Sequence, residues 1–143
     1  MREVRACGVL VVEGKPIEHF LLMTHAHRLD LPKGHVDEGE LDLPCALREL
    51  REETGIQADD IELDATFRFE TSYEVRYRSF NNELAHKTLV IFLAYLKHPV
   101  EIQVTEHTGY VWRPWRPPHR LQRDTIDPLL AAVERHLAEQ EPG

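Results

Sequence analysis

Between Gly34 and Ile56 the chain reads GHVDEGELDLPCALRELREETGI, and no other stretch narrows the possible folds as much. Leu43, Ala46, Leu47, Leu50 and Thr54 recur at three- and four-residue spacing, which predicts an amphipathic helix over Leu41 to Thr54 with these residues on its buried face. Glu49, Glu52 and Glu53 share the opposite side, within side-chain reach of one another. Like charges so placed cost a helix about 0.2–0.5 kcal/mol per pair, and Arg48 and Arg51 relieve only part of that. A bound cation relieves the rest. Clustered hard oxygens suit Mg²⁺ or Mn²⁺ sharing substrate phosphates, so a metal-phosphate site stands beside the plainer reading of a solvated acidic face.

The flanks favour a built site. Pro32, Gly34 and Gly39 mark a bent loop between a strand and the helix, and Thr54-Gly55 supplies the helix stop with glycine just past its end. The chain has 143 residues, 42% of them hydrophobic, which fits one domain over 1–143 with a single core. Cys7 and Cys45 are the only cysteines, so neither a disulfide framework nor zinc spacing is present, and a reducing, cytoplasmic setting is expected. Cys45, one turn before Glu49, reads as a small helix residue because thiolate suits softer metals. A net charge of −8 opposes binding to duplex nucleic acid, whereas a polyanionic small molecule needs only a local basic pocket. No apolar run is long enough for a membrane span, and MREVRACGVL is not laid out as a signal peptide. Nothing in the residues specifies an oligomeric state.

Val4 to Val12 reads as a strand in which Gly8 allows close backbone approach, and Ile17 to Thr24 as the next. Leu29 to Leu31 leads into the loop. Ile61 to Tyr73 alternates as a strand, extended by Val75 to Phe80, with Asn81-Asn82-Glu83 as a turn. Thr88 to Leu96, almost wholly apolar, is expected at the sheet centre with both faces covered. Val100 to Val104 and Tyr110 to Trp112 are shorter strands. WRPWRPPHR, from Trp112 to Arg120, reads as a proline-stiffened surface loop. Asp127-Pro128 opens a last helix with Leu129, Leu130, Val133 and Leu137 on one face. The sum is an α/β chain, an α/β/α sandwich around a mixed sheet. His25 and His27 are read as surface histidines, since no third ligand lies near.

Gly34, Glu40, Arg48, Glu49, Leu50, Glu52, Glu53, Gly55 and Ile56 together resemble the Nudix hydrolase box at residues 34–56, with no departing position. The resemblance implies metal-assisted attack of water on a phosphorus of a nucleoside diphosphate linked to another moiety. RACG at Arg5 to Gly8, LPKGHV at Leu31 to Val36, Lys87-Thr88 before the apolar strand, and VEI followed by EHTGYVW resemble the asymmetrical diadenosine tetraphosphate hydrolases. That branch implies cleavage of diadenosine tetraphosphate to ATP and AMP. Carried over, it makes Gly34, Glu49, Glu52 and Glu53 the holders of Mg²⁺ (or Mn²⁺), and Glu106 a further carboxylate at the site. Arg48 becomes an orienting partner for a helix glutamate. Lys33, His35 and Lys87 would face the phosphates, and Tyr73 and Tyr110 would stack on or line a base. Each also has a plainer reading: His35 as a turn residue, the tyrosines as core, Glu106 as a solvated loop residue.

Three departures concern the pocket. Leu29 stands where a tryptophan is common in the branch, the segment from Tyr73 to Lys87 is longer than usual, and the connection before Glu106 is one residue shorter. Other Nudix pyrophosphohydrolases, acting on nucleoside triphosphates, RNA 5′ ends or diphosphoinositol phosphates, remain alternatives, as does a non-catalytic nucleotide-binding module.

Overall fold

A computed structural model describes residues 1–140. Two long strands, β1 (Arg2–Glu13) and β7 (Leu84–Leu96), run parallel in register from Arg2 opposite Ala85 to Val12 opposite Tyr95 and form the spine of an eight-stranded mixed sheet. Each is long enough to take different partners along its length. β1 pairs with β2 (His19–His25) at its end and with β4 (Lys33–His35) at Ala6 to Gly8. β7 pairs with β6 (Phe69–Arg76) over its first part and β5 (Ile61–Leu63) over its last. β3 (Arg28–Asp30) and β8 (Gly109–Pro114) both pair with β2.

The unbroken apolar runs of β1 and β7 follow from burial on both faces. Alternate residues serve opposite layers: Ala6, Leu10 and Val12 join Leu89, Ile91 and Leu93 beneath helix α2 (Ile126–Gln140). Cys7, Val9 and Val11 join Val90 and Ala94 beneath helix α1 (Asp42–Thr54). The architecture is therefore the expected α/β/α sandwich. No helix among the described residues is long and apolar enough to cross a membrane.

Several local expectations are corrected. Ile61 to Tyr73 is not one strand, because Asp64 accepts the N–H and hydroxyl of Thr66 at 3.0 and 2.8 Å and turns the chain between β5 and β6. The predicted strand Val100 to Val104 is absent: Ile102 is buried, but the Gln103 N–H donates to the Thr54 carbonyl at 2.8 Å instead of to a neighbouring strand. Trp112 to Pro114 belongs to β8, so the stiff loop begins only at Trp115. Val75 to Phe80 extends the preceding strand only to Arg76. The last helix starts at Ile126, and its first N–H groups are met by the Gln122 side chain, which accepts from Thr125 and Ile126 at 2.8 and 2.9 Å. Asp127 reaches back to the N–H groups of Leu121 and Gln122.

Candidate active site

The site is assembled where β4 lies between β1 and α1. Only glycine fits at position 8, since a Cβ there would collide with the Pro32 carbonyl and the Lys33 side chain, so the loop carrying Lys33 can press against β1. The Lys33 N–H then donates to Glu53 Oε2 at 2.9 Å. Gly34 plays the matching part on the helix side: the Glu49 carboxylate occupies the space that a Cβ would fill.

Arg48 ties the loop to the helix. Its guanidinium donates to both oxygens of Glu40 at 2.8 and 2.9 Å, to the His35 carbonyl at 3.0 Å, and to Glu49 and Glu52 at 2.8 and 3.1 Å. Held by Arg48, the Glu40 carboxyl falls to about 2. At the helix end Gly55 takes φ +81°, and its N–H donates to the Arg51 carbonyl.

The three helix glutamates are not equivalent. Glu52 is exposed and Glu49 half-buried, but Glu53 is only 6% exposed, so the expected solvent-facing acidic side is partly roofed by the loop. Burial raises the Glu53 carboxyl to about 8, opposed by the Lys33 N–H and reinforced by the charges of Glu49 and Asp30. Glu49 is also raised, chiefly by burial, with Arg48 opposing and Glu52 and Glu106 adding to the shift. On the inward side of α1, Leu43 and Leu47 are only half-buried, while Cys45, Ala46, Leu50 and Thr54 are buried.

Glu106 is delivered by coil rather than by a strand. The Gln103 bond to Thr54 and a 3.1 Å bond from Thr105 Oγ1 to the Glu52 carbonyl anchor this segment to the end of α1. Glu106 thereby joins Glu49, Glu52, Glu53, Lys33, Gly34, His35 and Lys87 around a cleft of about 460 Å³.

Beside it lies a second cavity of about 640 Å³, lined by Arg28, Tyr73, Tyr77, Gln122 and Asp124 among others. Asp30, Lys33 and Lys87 line both. Asp30 accepts from Lys33 Nζ at 3.1 Å and from His107 Nε2 at 3.2 Å; although burial opposes it, these partners and the Leu31 N–H hold its carboxyl below the ordinary value. Burial, with Lys33 and Arg28 close by, lowers the Lys87 ammonium to about 8.

Of the residues singled out in the sequence, Tyr73 thus lies in the second cavity, facing Lys87 across β6 and β7. Tyr110 does not join it: it sits on β8 opposite Met23, 44% exposed, and lines neither cavity. Trp115 packs edge-on against Phe20 in the core. Asp30, Tyr77, His107 and the 122–125 segment were not legible as site residues: none stands at a position to which the resemblance assigns a role, and the fold brings them together around the second cavity.

The donor chemistry fits a divalent cation. Glu49, Glu52, Glu53 and the Gly34 carbonyl offer hard oxygens, and the crowding of Glu49 into the Gly34 gap aims a carboxylate at the cleft. Among the described residues no three His, Cys, Asp or Glu groups form a finished cage. An ion that keeps waters and takes ligands from substrate phosphates needs none.

The NUDIX domain model matches residues 1–137. The mouse bis(5′-nucleosyl)-tetraphosphatase [asymmetrical] is 39% identical over 121 residues, covering 76% of this chain and 78% of the relative. The Caenorhabditis elegans protein of the same name is 30% identical over 115 residues, with the same coverage of each. Among solved structures, a C. elegans Ap4A hydrolase binary complex superposes with a TM-score of 0.79 at 26% identity, over 95% of this chain and 98% of that one. Box, sheet and relatives agree, and the chain belongs to the Nudix domain family.

Proposed function

We propose that this Nudix hydrolase cleaves dinucleoside polyphosphates, diadenosine tetraphosphate foremost, to ATP and AMP with Mg²⁺ as cofactor. The observation that carries the reading is the continuity of an acidic cleft with a tyrosine-lined cavity of balanced charge, the two joined at Lys33 and Lys87. A nucleoside triphosphate would occupy such a groove only in part, whereas a bridged dinucleotide has a polyphosphate for the cleft and junction and a nucleoside for the cavity beyond. The names of the relatives support the same substrate class.

Gly34, Glu49, Glu52 and Glu53 would hold the metal. When bound, it neutralises phosphate charge and lowers the pKa of an attacking water. Lys33 and Lys87 neutralise the rest of the phosphate chain, while Arg48 keeps Glu49 and Glu52 directed at the cleft. The water's proton acceptor is drawn from Glu49, Glu52 and Glu106, and the base is the one whose glutamine variant lowers kcat without weakening metal binding. Two buried, unpaired thiols, Cys7 and Cys45, suit a reducing cytoplasm.

The test is chromatographic product analysis with Mg²⁺ in heavy-oxygen water, comparing diadenosine tetraphosphate with a nucleoside triphosphate panel. ATP plus AMP at a much higher kcat/KM than any triphosphate is expected, and the labelled product identifies the attacked phosphorus. Preference for triphosphates overturns the substrate class, and no turnover of any compound moves the binding-module reading to the front.

A further inference from the structure

The connection from β6 to β7 is a tied wall at the junction of the two cavities. The Tyr77 carbonyl accepts the N–H groups of Phe80 and Asn82 at 3.1 and 3.0 Å, and Arg76 Nη1 donates to the Asn82 carbonyl at 2.9 Å. Phe80 stands edge-on to the Tyr77 ring with centroids 5.4 Å apart, and the Arg2 guanidinium covers Phe80 at 4.0 Å. This scaffolding presents Tyr77 to two phosphate-facing groups at once. Its ring is edge-on to His35 at 5.7 Å with the hydroxyl 3.4 Å from His35 Nε2. The Lys87 ammonium lies 5.9 Å from the Tyr77 ring and 6.0 Å from that of Tyr73.

Lys87 has no carboxylate partner among the described residues, because Asp30, the nearest acidic group of the junction, is engaged by Lys33 and His107. A half-buried cation flanked by two aromatic rings, its attraction to Asp30 shared with Lys33 and His107, is set to receive an anion. His35 is complementary: a neutral imidazole that accepts the phenol proton at Nε2 carries its own N–H on Nδ1, as a donor.

We infer that Tyr77 is a positioning residue that sets specificity for phosphate-chain length, its hydroxyl orienting His35 and its ring confining Lys87 so that both grip phosphates running from the cleft into the second cavity. The inference rests on the dinucleotide reading above. Remote grip of this kind strengthens ground state and transition state alike, so its loss appears in KM.

The test measures kcat and KM for Tyr77→Ala and Tyr77→Phe with diadenosine tetraphosphate and with ATP, alongside thermal unfolding. For Tyr77→Ala the dinucleotide KM should rise about tenfold with kcat within about twofold and the ATP KM unchanged, whereas Tyr77→Phe, which keeps the ring, should raise it only about threefold. A loss of equal size on both substrates, a fall in kcat at constant KM, or unchanged kinetics overturns the inference. Calorimetric titration with inorganic tetrapolyphosphate, which matches the dinucleotide's chain, needs no turnover: about tenfold weaker binding to Tyr77→Ala than to wild type is expected, and equal binding overturns the role. If wild type fails to cleave any dinucleotide, the substrate reading falls and this titration still decides for Tyr77. If Tyr77→Ala does not fold, Tyr77→Phe carries both measurements.

Discussion

Substitution of Gly34 by alanine separates catalysis from folding at a single carbon. The added Cβ would land against Cδ and both carboxylate oxygens of Glu49. Carbon atoms settle at about 3.5–4.0 Å, so the carboxylate would have to retreat by about 1–2 Å. What yields is the far end of a flexible side chain, and Gly34 is not among the glycines with positive φ, so the backbone accepts alanine. Stability should therefore change by no more than about 1 kcal/mol. The retreat pulls Glu49 from its 2.8 Å bond to Arg48 and from its aim into the cleft. Misplacement of a reacting group by about 1 Å costs about 10²-fold in rate, or about 2.7 kcal/mol of barrier. Steady-state kcat with diadenosine tetraphosphate at saturating Mg²⁺, beside a thermal melt, reads both quantities. A kcat within about threefold of wild type would refute the assignment of Glu49 to the reacting centre. A large drop in Tm would show that the backbone had yielded in place of the side chain.

Glu53→Gln should lower kcat by about 10²-fold or more with the fold intact, and near-normal turnover removes the metal assignment. The same residue predicts a pH effect on the metal-free protein. The Glu53 carboxyl rises from the ordinary 4.5 to about 8 on folding, so between those values the folded chain holds a proton that the unfolded chain has released, and stability falls as pH rises through the window. Melts in chelator at pH 5 and pH 8 should show this for wild type and a flatter response for Glu53→Gln; identical slopes refute it. Lys87→Ala should chiefly raise KM for longer phosphate chains, and an equal loss on every substrate argues against that role. Gly55→Ala, forced into φ +81°, should cost about 1–2 kcal/mol with kcat retained, and an unchanged Tm removes the strain argument.

The layering of the fold was legible because its signals are local: the apolar runs along β1 and from Thr88 to Leu96 and the spacing through α1 each report burial by near neighbours. Helix spacing also places Glu49, Glu52 and Glu53 together. It cannot show that the Lys33 loop covers Glu53, since that contact spans twenty residues and depends on how β4 docks. Val100 to Val104 has a strand's alternation without a strand's partner; only Ile102 of its apolar residues is buried, while Val104 is exposed, and the coil's N–H at Gln103 goes to the end of α1. The Asp64 turn was within reach, because Asp-Ala-Thr carries the side-chain acceptor and donor that bend the chain. The second cavity was not, for its lining comes from β3, Lys33 of β4, β6, Tyr77 just beyond it, β7 and the 122–125 segment.

Three side chains, Asp30, Lys33 and Lys87, line both cavities. The arrangement makes the enzyme modular in evolution. Most of the second cavity's lining could drift toward a new base or chain length while α1 and its glutamates stayed as they are. Changes at the three shared positions would have to satisfy both tasks together, which concentrates the trade-off between new substrates and retained turnover on a few junction residues.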